Sequence, residues 1–157
     1  MEFSSTLALT IRRIEGGILG NGTDITPDMT PFEAGLAPFV NMDKGDFIGR
    51  TALLTKERHC CLFGVTCSTK TPAAGALIFD GGREVGRITA GIPSPTLGLG
   101  VGYVHFNTRG DWVGRTLAMR LPDGSLHDAQ IVQPPFFDPD KKIVRGLDRS
   151  IPERPAN

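Results

Sequence analysis

From residue 59 onward the chain breaks into short apolar runs, "CCLFGVTC", "GALIF", "EVGRITAG", "GVGYVHF" and "LAMRL", each bounded by turn residues. That spacing is typical of all-β structure. "DGGR" at 80–83 and "PDGS" at 122–125 are Asp-Gly hairpin turns, and the second closes "TLAMRL" onto "LHDAQIV". Twenty glycines and 12 prolines suit a small closed barrel or jelly roll, whose corners need such residues. The expected class is α+β, mainly β: a short N-terminal helical segment, then a Gly-rich antiparallel β-barrel or jelly roll of about six strands.

The first third reads differently. Leu7, Ile11, Ile14 and Ile18 recur at the spacing of an amphipathic helix, with Ser4 or Ser5 as its cap and Gly16 and Gly17 as a left-handed stop. "LGNGTDITPDMTPFEAGL" is a loop until Thr30, Pro31 and Glu33 supply a capping box with proline at the first helical position. A second short helix is expected within "KGDFIGRTALLTKER", capped by Asp46, with Ile48, Ala52 and Leu53 or Leu54 facing inward. The tail "LDRSIPERPAN" has too little apolar content for a packed element and reads as extended or disordered.

Charge and cysteine usage narrow the function. Lys plus Arg and Asp plus Glu both number 17, so no net positive field draws a phosphate backbone or an anionic membrane surface, and neither nucleic acid nor membrane is an expected partner. Cys60, Cys61 and Cys67 lie in an apolar stretch without C-x-x-C spacing or a paired His motif, which reads as core thiols in a reducing compartment rather than a disulfide framework or a metal site. No segment approaches the about 18 apolar residues of a membrane span, and the N-terminus has no charged region followed by an apolar one. A cytoplasmic protein is expected.

Periodicity stops at helices followed by a barrel. The particular words go further. "RRIEGGILGNGTDITPDMTPFEAGLAPFV", "KGDFIGRTALL", "GREVGRITAGIPSPTLGLGVGYV" and a final "PPFFDP" resemble, in the same order from about residue 7 to 140, the C-terminal part of the glycine-cleavage T-protein (aminomethyltransferase) and folate-dependent demethylase family. The family's usual words are L-R-L-E-A-G, G-x-D-I, T-P-x-E-A-G-L, D-F-I-G and V-T-S-G-x-x-S-P-T-L-G. Its members transfer a one-carbon unit between a substrate and tetrahydrofolate. The doubled arginine and glycine of "RRIEGG" look more similar to the demethylase branch, and Asn21, where the T-protein usually has tyrosine, argues against a strict T-protein.

The resemblance implies site residues. The glutamate of L-R-L-E-A-G holds the pterin of folate, whose ring N–H and exocyclic amine form a donor pair that one carboxylate can accept, and Glu15 occupies its position. A carboxylate at a helix C-terminus also faces the negative end of the macrodipole, so something should compensate it. Gly16, with Gly17, would let the flat ring approach the backbone. Lys44 stands near the arginine that the family sets against folate, as a point charge without the planar fork. The bland alternative for Glu15 is a surface ion pair with Arg12 or Lys44. Glu33 is explained by its capping box, "IPSPTLG" reads as a rigid barrel corner, and Tyr103 and Trp112 read as barrel packing. His59, His105 and His127 sit at no recognisable catalytic motif, and no catalytic or metal-binding residue is assigned.

The family's catalytic aspartate precedes L-R-L-E-A-G, and the chain starts only a few residues before that point. The expectation is therefore a fragment, a split reading frame or a domain product, inactive alone, with residues 1–57 ending the folate-binding core, 58–140 forming the barrel domain and 141–157 a tail. Its partners would be a small-molecule methyl or aminomethyl donor and the missing N-terminal part. The alternative is a non-catalytic, stand-alone binding or interaction module built on the barrel. The two separate on whether the reading frame continues upstream.

Overall fold

The structure, a computed structural model, describes residues 5–150. Ser4 and residues 151–157 of the tail lie outside the described residues. After a helix α1 (Thr6–Glu15) and a short helix α2 (Arg50–Leu54) come six strands: β1 (Leu62–Cys67), β2 (Leu77–Asp80), β3 (Arg83–Ser94), β4 (Leu99–Phe106), β5 (Thr116–Arg120) and β6 (Leu126–Val132). They close into an antiparallel barrel in the order β1-β4-β3-β2-β5-β6, with β6 pairing back onto β1 through Val65 and Ile131. Closure leaves no edge open to another chain.

The barrel follows from period-two patterning. β5 turns Leu117 and Met119 inward between exposed Thr116 and Arg120, and β6 does the same with Ala129 and Ile131. They meet Val65, Ile78, Ile88, Val104 and Phe106 in one interior cluster, each large side chain stabilising the fold by about 1.5–3 kcal/mol on burial. Trp112 stacks on Phe106 at 4.3 Å inside this cluster, so it is barrel packing as its apolar setting predicts. Gly81 (φ 55°) and Gly82 (φ 86°) make the tight turn that pairs Asp80 with Arg83.

β4 has no polar alternation because both of its faces are covered. Val104 and Phe106 enter the barrel, while Val101 and Tyr103 point out against Ile14 of α1, with Leu62 and Ile92 beside them. This second, smaller cluster seats the helix on the barrel wall. Ser5 caps α1 through a bond from the Ala8 N–H at 3.2 Å. The C-terminus is a Schellman closure, with the Ile18 N–H on the Arg13 carbonyl at 2.8 Å and the Gly17 N–H on the Ile14 carbonyl at 3.0 Å. Gly17 is required twice, for its φ of 75° and because a Cβ there would stand 3.0 Å from Pro135.

Three local expectations are corrected. The apolar stripe of α1 is not buried throughout: Leu7 is 60% exposed, and Ile18, beyond the helix end, is 62% exposed. The capping box at Thr30 forms, with the Thr30 N–H on Glu33 Oε2 at 2.7 Å and the Glu33 N–H on Thr30 Oγ1 at 3.2 Å, but it caps a single turn rather than a helix. Gly35, at φ 72°, ends the turn before it can propagate. α2 is entered through Gly49 rather than capped by Asp46; it spans five residues, too few to bury a stripe, and Ile48, Ala52 and Leu54 are exposed. No helix among the described residues is long and apolar enough to cross a membrane.

Candidate functional site

Two carboxylates are buried among the described residues, Glu15 and Asp24, each 1% exposed. Both lie where α1 meets the wall formed by β3 and β4, and the doubled arginine serves both. Arg13 Nη1 meets Asp24 Oδ2 at 3.0 Å, where the Gly20 N–H also donates at 2.7 Å, and Thr89 of β3 donates to the other oxygen at 2.6 Å. Asp24 thus folds the 18–25 loop onto the barrel with every oxygen satisfied. Three donors hold it, two on Oδ2 and one on Oδ1, and tie the loop to α1 and β3.

Glu15 is arranged differently. As the last residue of α1 it faces the negative end of the helix dipole, and its burial would be costly without donors. Arg12 Nη1 donates to Oε2 at 2.9 Å and Ser94 Oγ donates to Oε1 at 2.5 Å. Arg12 also donates to Thr96 Oγ1 at 3.2 Å. One acceptor position on each carboxylate oxygen is used, and a carboxylate offers about four in all. The Glu15 carbonyl takes the N–H groups of Phe136 and Phe137 at 3.0 and 2.9 Å, so "PPFFDP" returns to the helix end and ties it down. Tyr103, fully buried, donates its hydroxyl to the carbonyls of Ile14 and Ile18 at 3.2 and 3.3 Å. Burial pushes the Tyr103 hydroxyl well above the ordinary tyrosine range, Asp24 adds to that rise and Arg13 opposes it.

The other candidates fall into place around this pair. Glu15 has its ion pair with Arg12, not Lys44, and the carboxylate is buried rather than on the surface. Lys44 is exposed on the 41–49 loop with Nζ 5.0 Å over the Phe47 ring. Gly16 is exposed beside Glu15, whereas the space at Gly17 is taken by Pro135. Glu33 is held below the usual carboxylate range by its bonds from Thr30. His127 lies between Thr69 (3.1 Å) and Ser125 (3.0 Å) in an open groove of about 330 Å³ that shares no residue with the Glu15 site. Cys60, Cys61 and Cys67 are free, and burial raises the first two thiols.

Residues 58–138, more than half of the chain, match the family model of the glycine cleavage T-protein C-terminal barrel domain. The chain belongs to the glycine-cleavage T-protein family. Among the relatives of this T-protein barrel, the aminomethyltransferase of Aquifex aeolicus is 39% identical over 95 residues, covering 60% of this chain and 27% of that one. The probable aminomethyltransferase of Halobacterium salinarum is 39% identical over 134 residues, covering 80% and 36%. The crystal structure of glycine cleavage system aminomethyltransferase T from Bartonella henselae superposes with a TM-score of 0.71 at 28% identity, covering 82% of this chain and 37% of that one. The chain spans about a third of the length of the relatives it matches.

The sequence points to Glu15 and to Arg12 as one possible partner, but not to its barrel-side donor. Ser94 and Thr96 were read only as parts of a rigid corner, and Asp24 as loop. A hydroxyl on each side of Pro95 is a signal in the right place, but nothing local says that it reaches a residue 79 positions earlier.

Proposed function

We propose that the chain is the C-terminal portion of a tetrahydrofolate-dependent one-carbon transferase, acting on a methyl or aminomethyl donor and forming one wall of the folate site. In this reading residues 1–57 complete the folate-binding core and residues 58–140 are the barrel domain. Glu15 receives the pterin, Gly16 lies beside the ring, and Lys44 is a supporting cation. The supporting observation is the state of Glu15: a buried carboxylate, held by one donor per oxygen, with an acceptor position left on each. Two adjacent acceptors suit the paired ring N–H and amine of a pterin. Arg12, whose side chain is 61% exposed, holds Oε2 from the solvent side and leaves its second acceptor position free. Tetrahydrofolate, when bound, supplies the N5 atom that takes up the one-carbon unit; Glu15 orients the ring and excludes alternative poses.

The arginines of "RRIEGG" each hold one buried carboxylate, so they have structural work whichever donor is used. Support for a transferase over a stand-alone module comes from family membership together with the buried glutamate at the end of α1. The test is an NMR titration of the 157-residue chain with tetrahydrofolate. The expected result is binding in the millimolar range, about −4 kcal/mol, with amide shifts centred on Glu15, Gly16 and Ser94 and abolished in Glu15→Gln. Shifts located elsewhere, or unchanged in the variant, would refute the assignment.

A further inference from the structure

We propose that the β3–β4 turn, Ser94-Pro95-Thr96, is the positioning element for Glu15: it holds one carboxylate oxygen directly through Ser94 and the other by way of Arg12 through Thr96, and so sets the directions of the acceptor positions that remain. The inference rests on the pterin reading for its ligand, and on the geometry for everything else.

Ser94 is 2% exposed and its hydroxyl has a fixed polarity. Its oxygen accepts the Leu97 N–H at 3.1 Å, and its one proton goes to Glu15 Oε1 at 2.5 Å. An acceptor-only carboxylate is the partner that satisfies this arrangement. The turn is itself closed by the Gly98 N–H on the Ser94 carbonyl at 2.9 Å, and Pro95 has φ fixed by its ring. Thr96 acts one step removed. Its Oγ1 receives Arg12 Nη1 at 3.2 Å, the same nitrogen that meets Glu15 Oε2 at 2.9 Å, so the hydroxyl helps decide where that guanidinium stands. Ser94 sets one oxygen directly, and Thr96 sets the other through Arg12.

A glutamate side chain has three rotatable bonds. Left free at a helix end it would have to lose that freedom when a ligand arrives, and the helix dipole would turn its charge outward. The latch removes the freedom beforehand and holds the charge inward. The barrel, whose donor to Glu15 is the neutral Ser94 hydroxyl, thereby takes part in ligand recognition: its corner serves as the second layer of the site.

The test uses the 157-residue chain and two readouts. Side-chain couplings of Glu15 should report one rotamer in the wild type, averaging in Ser94→Ala, and one rotamer again in Ser94→Thr, which restores the hydroxyl. In titrations with tetrahydrofolate the initial slope of the Gly16 amide shift should fall about tenfold in Ser94→Ala, about threefold in Thr96→Val, and recover in Ser94→Thr and Thr96→Ser, in keeping with a lost charge-assisted bond. A single Glu15 rotamer in folded Ser94→Ala would overturn the proposal. If Ser94→Ala does not fold, Thr96→Val decides: an unchanged slope together with an unchanged Arg12 side chain overturns it. Rotamer averaging in Ser94→Ala combined with no response of the wild type to tetrahydrofolate would refute the pterin reading and leave the positioning role of the turn standing.

Discussion

Tyr103 offers a test of how the helix is held to the barrel. It is the only tyrosine, and its hydroxyl joins the buried face of β4 to the carbonyls of Ile14 and Ile18, one on either side of Glu15 and the glycine stop. Removing the hydroxyl in Tyr103→Phe orphans neither carbonyl. Ile14 keeps the Gly17 N–H at 3.0 Å, and Ile18 keeps Arg13 Nη1 at 3.1 Å. The cost near pH 8 should therefore be that of one neutral hydrogen bond, about 0.5–1.5 kcal/mol. Alkaline pH reverses the ranking. In the unfolded chain the phenol ionises around pH 10, while in the folded protein burial keeps its proton on well above that. Above pH 10 the native state binds more protons than the unfolded state, so stability is complete below that pH and falls as pH rises, by about 1.4 kcal/mol per unit for this group. By about pH 11.5 the wild type should lose about 2 kcal/mol that the phenylalanine variant does not lose, and the variant should be the more stable of the two. Cys60 and Cys61, also raised by burial, push both proteins the same way and cancel in the comparison. Urea unfolding followed by Trp112 fluorescence at several pH values measures the crossing. Tyrosinate absorbance appearing near pH 10 in the folded wild type, or curves that never cross, would refute the reasoning.

Glu33→Ala should cost about 0.5–2 kcal/mol, at the low end because the box caps a single partly exposed turn, and should leave the tetrahydrofolate response unchanged. Because Glu33 is held below the usual carboxylate range, that penalty should be present at neutral pH and fade as pH falls through its lowered value, which thermal melts across the acid range would show. The 157-residue chain with tetrahydrofolate and any methyl or aminomethyl donor should show no turnover, since Glu15 is an orienting group and the Asp24 carboxylate is tied to Arg13, Gly20 and Thr89; product formation in a coupled assay would mean that a catalytic group lies within this chain.

Much of the fold was readable because its signals are local. Asp80-Gly81-Gly82-Arg83 specifies its hairpin without reference to anything distant, and Leu117 and Met119 choose their face by alternation alone. The helix end was equally plain, since Gly16 and Gly17 stop α1 in the motif that such a pair predicts. The expectations that failed were those that needed tertiary context. A capping box says that a turn begins and cannot say how far it runs; Gly35 decided that. Ile48 looks inward on a helical wheel, yet it is exposed, because burial depends on a neighbour and not on a period.

The site shows the same division more sharply. A glutamate at the end of a helix carries its own electrostatic oddity, so Glu15 drew attention from composition and position alone. What resolves the oddity is a serine on β3, 79 positions further along the chain, brought to the helix end by a barrel whose closure no pattern can register residue by residue. Had Arg12 been the only donor, Glu15 would be an ordinary i, i+3 ion pair at a helix end, worth a few tenths of a kcal/mol, and its burial would be unexplained. Ser94 changes that. Its bond needs the barrel to be closed and α1 to be seated on β4, so the orientation of Glu15 is a product of the whole fold: a change at Tyr103, Pro135 or Ser94 that loosens the seating should be felt at the carboxylate before it is felt in the barrel.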